Sequence, residues 1–268
     1  MIVDIHHHYV DPAHFTEYKD FPAELVAAMD RYGWDYVCLN GIGQAYHKDN
    51  KDVARAVERF PNRLVGIGYL NVDLKKPGYV DELKRMGMRG LKVISTLKRY
   101  DDDAYLRFYE RAARNNLPIL FHTGFLGGER EERRRDESSD RYRPIMLDRI
   151  ARLFPDLPLI GAHMGTIYWY HEALAVMCHA NVYGDTSGGP SEMEPQFYRM
   201  PLNNRINWNK VMFGSDSLPN DGHIPFNNVK RLMRRLKLAA ATQRRVLGET
   251  AARIFGLKPR NATTPKQA

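Results

Sequence analysis

The chain has 268 residues, 43% hydrophobic and 27% charged, with 40 Lys and Arg against 32 Asp and Glu. That balance excludes a disordered chain and suits one large domain, and the net charge of +8 favours an anionic partner without specifying one. No stretch reaches the roughly 20 apolar residues of a membrane span, the first residues lack the basic and apolar pattern of a secretion signal, and two cysteines are too few for a disulfide framework.

The expectation is a soluble, cytoplasmic protein with a small-molecule substrate and no membrane or nucleic-acid partner. Along the chain, short β-branched or apolar runs alternate with stretches of helical spacing. Run 2–8 ends in His6-His7-His8, and residues 22–32 follow as a helix with Leu25, Val26 and Met29 on one face. Run 36–42 leads to a helix over 50–60 carrying Val53, Ala56, Val57 and Phe60; run 64–71 leads to one over 78–86. Run 89–94 holds Lys92 and precedes a helix over 103–115. Run 118–123 ends in His122-Thr123, with a helix over 144–154. Run 157–163 ends in His163, with a helix over 167–179. Runs 181–186 and 210–215 close on Asp185 and Ser215-Asp216, and helices over 225–236, 240–247 and 250–255 complete the series. Gly33, Pro61, Gly87 and Pro155 stand where helices should stop.

Strands that alternate with helices pair in parallel through right-handed crossovers. Eight such units predict a single α/β (β/α)8 TIM barrel over residues 1–257, with no N-terminal β-sandwich domain and a loose tail over 258–268. The rival, an open doubly wound sheet, usually shows a glycine-rich turn after its first strand, and here three histidines occupy that place.

Chemistry in such a barrel sits at the C-terminal ends of the strands. Strand side chains alternate, so His6 and His8 point one way and His7 the other. Two imidazoles one strand-repeat apart can grip one ion, and His122 and Asp216 can complete the set. Three nitrogens and one carboxylate suit Zn²⁺, with Mn²⁺, Fe²⁺ and Co²⁺ as alternatives. Asp185 is either a rim strut or a substrate contact. His14, His47, His171 and His179 fall in loops or helices and read as structural or solvent residues, whereas His223 lies in a loop that can face substrate.

These residues resemble the amidohydrolase superfamily, in its amidohydrolase-related branch with aminocarboxymuconate-semialdehyde and resorcylate-type decarboxylases. The resemblance rests on Val3-Asp4-Ile5-His6-His7-His8, Gly90-Leu91-Lys92, Phe121-His122-Thr123-Gly124, Ala162-His163-Met164-Gly165, Asp185-Thr186-Ser187-Gly188, Phe213-Gly214-Ser215-Asp216 and the closing stretch 248–257. It implies a distorted barrel in which His6, His8, His122 and Asp216 bind one divalent metal and a water. His163 then stands beside that water as acid, base or electrophile, and Asp216 can relay a proton. Lys92 is either a cation for a substrate carboxylate or, in binuclear relatives, a carboxylated bridge between two ions; one ion is the expectation. The implied activity is hydrolysis of a C–N or C–O bond, with non-oxidative decarboxylation as the alternative, and a homodimer is possible by analogy.

TatD-type nucleases share the barrel and the His-x-His start, but they place a glutamate after strand four, where this chain has Gly90-Leu91-Lys92. The loop 127–143 emerges on the catalytic rim as a possible lid, from which Arg141 or Arg143 can reach an anionic substrate. The basic cluster Lys230, Arg231, Arg234, Arg235 and Lys237 reads as a solvated helix face.

Overall fold

A computed structural model of the protein describes residues 1–43, 46–126, 138–188 and 206–259. Eight parallel strands follow one another round a single sheet: β1 (Val3–His8), β2 (Tyr36–Gly41), β3 (Leu64–Tyr69), β4 (Gly90–Val93), β5 (Ile119–His122), β6 (Leu159–Ala162), β7 (Val182–Asp185) and β8 (Val211–Met212). Between them run α1 (Phe21–Tyr32), α2 (Asn50–Arg59), α3 (Tyr79–Arg85), α4 (Asp103–Arg114), α5 (Leu147–Leu153) and α6 (Thr166–Val176). After β8 come α7 (His223–Arg235), α8 (Ala240–Arg244) and α9 (Thr250–Phe255). The architecture is the expected (β/α)8 barrel. No helix among the described residues is long and apolar enough to cross a membrane.

Local chemistry sets the helix ends. Asp20 caps α1, Pro22 occupies its first turn and Gly33 closes it in the left-handed conformation. Asp49 and Asp52 form a reciprocal capping box at the start of α2. Pro144 sits in a 3-10 turn over Pro144–Met146, so α5 begins at Leu147, three residues later than the periodicity suggests.

Strand alternation divides the apolar residues into two shells. Val37, Leu39, Leu91, Val93, Ile119, Phe121, Leu159, Val182 and Val211 pack outward among the helices. Val3, Ile5, Cys38, Val65, Ile67, Leu120, Ile160, Ala162, Tyr183 and Met212 form an inner cluster, joined by Ala251, Ala252, Phe255 and Leu257 of the C-terminal segment. In β4, β5 and β7 the inner position nearest the strand C-terminus is polar instead: Lys92, His122 and Asp185.

β1 breaks strict alternation. Its register against β2 shifts between Asp4, which pairs with Val37, and His7, which pairs with Leu39. The extra residue is a bulge, a device that re-aims side chains beside active sites. Ile5 and His6 therefore both serve the barrel interior, while Asp4 turns to the same side as His7, with Asp4 Oδ2 at 3.4 Å from His7 Nδ1.

The seam between β8 and β1 differs from the expected strand over 210–215. β8 contains two residues, and beyond it the chain is tied to β1 by Ile5 N→Phe213 O (3.0 Å) and Asp216 N→His6 O (2.8 Å). The buried Asp4 carboxylate reinforces the seam by accepting from Ser215 N (2.9 Å), Ser215 Oγ (2.6 Å) and His6 N (3.1 Å). Asp216 then turns into the left-handed region at φ 48, a conformation costly for a non-glycine residue.

Candidate metal centre

His6, His8 and Asp216 meet at the mouth. His6 Nε2 and His8 Nε2 lie 3.2 Å apart, and Asp216 Oδ1 lies 3.8 Å from the first and 3.3 Å from the second. Two imidazoles and one carboxylate thus present one atom each to a common point. His6 and Lys92 are buried, His8 is half-buried, and the Asp216 side chain is 29% exposed, so the group has one open side.

Asp185, which the sequence leaves undecided, is the hub behind these rings. Its Oδ2 accepts from His6 Nδ1 at 3.1 Å, and its Oδ1 accepts from the backbone N–H of His163 (2.8 Å), the N–H of Ser187 (3.0 Å) and Ser187 Oγ (2.5 Å). Ser187 spends its single proton on Asp185, so its oxygen accepts from the rings at His6 Nδ1 and His163 Nδ1, both 2.9 Å away. This count places protons on Nδ1 of His6 and His163 and leaves each Nε2 with a lone pair. Gly188 is required at this turn: its φ is +83 and a Cβ there would stand 2.8 Å from His163 Nδ1.

His122 stands outside the three-residue group. Its Nδ1 faces His163 Nε2 at 3.2 Å, and its buried Nε2 has no hydrogen-bond partner among the described residues. Donation from His122 Nδ1 to the His163 lone pair leaves that Nε2 as a bare acceptor. His163 itself lies 5.1 Å from the His6 ring, centroid to centroid, with φ 61 at the end of β6. Lys92 Nζ donates to His6 Nε2 at 3.0 Å.

Burial holds most of these rings neutral. It pushes His8 and His122 well below the ordinary histidine value, aided by His6 near the first and His163 near the second. His163 falls to about 4, chiefly through burial. Lys92 falls to about 8 for the same reason and remains largely an ammonium at neutral pH. Burial would raise Asp185 and Asp216, but the neighbouring His6 and His163 outweigh it in both, joined by Ser187 at the first and Lys92 at the second, and each is held at about 2.

The residues fit a divalent cation. His6 Nε2, His8 Nε2 and Asp216 Oδ1 converge within 3.8 Å, a cation between them would replace the bond His6 takes from Lys92, and among the described residues His122 Nε2 is an acceptor without a donor. The Asp185 carboxylate behind His6 is the usual partner that orients a metal-binding imidazole.

Other residues named from sequence lie elsewhere. His179 pairs with Asp148 at 2.6 Å, and His223 is exposed with Nδ1 3.0 Å from Asn220 O. Arg143 is tied to Glu172 and Asp140, and Arg141 donates to Thr96 O at 3.4 Å. The proposed lid falls mainly on residues 127–137, outside the described residues, as does most of the tail. His47, read as a structural or solvent residue, lies beside His8 with its ring tilted by 56° and the centroids 4.9 Å apart. Nothing in its own sequence neighbourhood signals that; the contact depends on how two loops meet.

A parallel eight-stranded barrel with imidazoles and carboxylates gathered at its C-terminal mouth defines a class of barrel enzymes. The chain belongs to the amidohydrolase family, whose profile matches residues 3–257, and within that superfamily to the amidohydrolase-related branch. The family is metal-dependent. No curated protein matches. Among solved structures, a probable 2-pyrone-4,6-dicarboxylic acid hydrolase from Acinetobacter baumannii, with citric acid bound, superposes with a TM-score of 0.67 at 15% identity, covering 95% of this chain and 99% of that one. A 5-carboxyvanillate decarboxylase from Novosphingobium aromaticivorans, complexed with manganese and 4-hydroxy-3-methoxy-5-nitrobenzoic acid, gives 0.67 at 15% identity, covering 96% of each chain. A 2,6-dihydroxybenzoate decarboxylase from Rhizobium gives 0.65 at 15% identity, covering 96% of this chain and 98% of that one. These similarities concern the fold.

Proposed function

We propose that the protein is a metal-dependent hydrolase acting on a C–N or C–O bond of a small anionic organic molecule. The observation that carries this reading is the convergence of His6 Nε2, His8 Nε2 and Asp216 Oδ1 on one point that is open to solvent. His6, His8, Asp216 and the unpartnered His122 Nε2 would hold one ion, with Zn²⁺ expected for three nitrogens and one carboxylate. Such an ion supplies Lewis acidity and a bound water of lowered pKa.

The chain's own groups do the rest. His163, neutral because its pKa lies at about 4, becomes a proton acceptor at Nε2 once the 3.2 Å bond from His122 Nδ1 gives way, while Ser187 and Asp185 hold its other nitrogen and its backbone. Asp185, ionised behind both rings, stabilises an imidazolium at either one. The Lys92 ammonium is buried in the mouth and attracts a substrate carboxylate or a developing oxyanion. Arg141 and Arg143 are engaged by Thr96 O and Glu172, and among the described residues Lys92 is a cation buried beside His6 in the mouth.

A second reading, non-oxidative decarboxylation of a small aromatic acid, uses the same groups, and several of the like-folded structures are decarboxylases. There His163 or Asp216 would manage protonation of the carbon that loses CO₂. A panel of esters, lactones, amides and aromatic acids, followed for new carboxylate and for CO₂, separates the two. On the responsive substrate, His163→Ala should lower kcat/KM by about 100-fold or more while bound metal stays near one ion per chain. Unchanged turnover would leave His163 without a catalytic role, and no turnover on any compound would favour a metal-containing binding protein.

A further inference from the structure

Three histidines stand in a row in β1, and only the first and third face the proposed cation. His7 is fully buried on the other side of the strand, beside Phe21 of α1 with ring centroids 6.1 Å apart. Its Nδ1 lies 3.3 Å from Ser215 Oγ and 3.4 Å from Asp4 Oδ2. Its Nε2 has no hydrogen-bond partner among the described residues, so the ring is held from the Nδ1 side. Asp4 is as buried as His7, and Ser215 is 5% exposed.

Proton counting makes the three one unit. Ser215 Oγ donates to Asp4 Oδ2 at 2.6 Å, so its oxygen meets His7 Nδ1 as an acceptor. Both atoms that face this nitrogen accept, which places a proton on it. The other carboxylate oxygen, Asp4 Oδ1, takes two backbone donors, His6 N at 3.1 Å and Ser215 N at 2.9 Å. A carboxyl group buried without such donors would carry a large desolvation cost.

The groups that Asp4 holds belong to a proposed ligand or to its neighbour. Asp216 N donates to His6 O at 2.8 Å, so the Asp4 carboxylate and this backbone bond close a ring through His6, Ser215 and Asp216. Asp216 leaves the ring in the left-handed region at φ 48, a strained conformation that persists only where the surroundings over-determine it. From there its Oδ1 comes to 3.8 Å from His6 Nε2 and 3.3 Å from His8 Nε2. The ring is the fixture that brings a carboxylate from one edge of the seam to an imidazole on the other.

We infer that Asp4, His7 and Ser215 form a positioning clamp that sets the separation of His6 and Asp216 and thereby raises affinity for the cation. The three act through the backbone of two proposed ligands and make no contact with the cation themselves. Ligands held in place in advance bind an ion without the added cost of ordering them. This inference rests on the metal reading above and is indifferent to which bond is broken. It gives the middle histidine a task of its own, which is to donate into the Asp4–Ser215 pair from behind.

A clamp that merely stiffened the barrel would change stability and leave the site alone, so the test reads the site. It measures Zn²⁺ affinity of the full chain by competition with a chromophoric chelator, and the visible bands of the Co²⁺-loaded chain, which report coordination geometry. Asp4→Ala should lower Zn²⁺ affinity by about 10- to 100-fold and alter the Co²⁺ bands. Asp4→Asn keeps Oδ1 for the two N–H groups and should recover most of that affinity. Ser215→Ala and His7→Phe each remove one corner and should each lose about threefold to tenfold, the worth of one hydrogen bond. The double variant Asp4→Ala/Ser215→Ala should bind no more weakly than Asp4→Ala alone, because both changes break one unit. Phe255→Ala, which loosens the far end of the barrel, should keep the affinity and bands of the parent. Because Asp4→Ala can fail to fold, Ser215→Ala, with both N–H bonds to Asp4 still in place, carries the same two readouts. Parent-like affinity and bands in a folded Asp4→Ala or Ser215→Ala variant, additive losses in the double variant, or an equal loss in Phe255→Ala would overturn the clamp and leave the metal reading intact. A parent protein that binds neither ion would overturn the metal reading, and the clamp with it.

Discussion

Asp185 shows how much one side chain can organise. Four protein donors converge on its carboxylate, and through them it fixes the tautomer of His6, the backbone of His163 and the hydroxyl of Ser187. Asp185→Asn replaces an acceptor by a donor facing His6 or the backbone N–H groups. Metal affinity, measured by competition with a chromophoric chelator, should fall about 10- to 100-fold, and affinity equal to the parent protein would refute the hub role. His8→Ala removes a proposed ligand outright, and elemental analysis should find the folded variant empty; full occupancy would dismantle the site as drawn. At this scale, sequence reading found the strand-end residues His6, His8, Lys92, His122, His163 and Asp216, because alternation and strand ends are periodic signals. It left Asp185 undecided and gave Ser187 no role, because a hydrogen-bond hub exists only once the strands that supply its donors are assembled.

Among the elements, β1 and the seam carry what periodicity could not show. The bulge between Asp4 and His7 lets an apolar residue, Ile5, and a polar one, His6, occupy adjacent interior positions while Asp4 reaches Ser215. No hydrophobic pattern marks such an insertion, and for the same reason the last strand proves shorter than its apolar run. Helices were more legible, since capping residues act within one turn. Asp102 caps α4, and its Oδ1 accepts from Ala104 N at 2.9 Å. That bond holds the Asp102 carboxyl below its ordinary value, against the opposing effect of burial and with help from Lys98. A carboxyl depressed on folding stabilises the fold above its unfolded pKa, near 4, and ceases to do so as pH falls through the folded value. Asp102→Ala should therefore cost about 1 kcal/mol at pH 7, read from urea midpoints, and the gap to the parent should shrink by pH 3. A gap that holds constant with pH would mean that the ionised form contributes nothing.

For the whole molecule, the question is whether the barrel or the cation maintains the fold. Two apolar shells, one around the strands and one inside them, are complete without any ion, and the inner shell is sealed at the end away from the site by Ala251, Ala252, Phe255 and Leu257. Phe255 is 5% exposed and packs there with Met212 and Val3 among its cluster partners. Phe255→Ala should cost about 3–5 kcal/mol, as buried aromatic truncations do. A cation at 100 times its Kd adds only about 2.7 kcal/mol, so removing it should lower Tm by less than the mutation does. Catalysis should respond in the opposite order: chelation abolishes turnover and readdition restores it, whereas Phe255→Ala at low temperature, far from the metal cluster, retains most of its turnover. Differential scanning calorimetry and assays on the same samples decide the matter. A chelated protein that no longer unfolds cooperatively would place the cation in the foundation of the fold, and the separation of core from chemistry argued here would not hold.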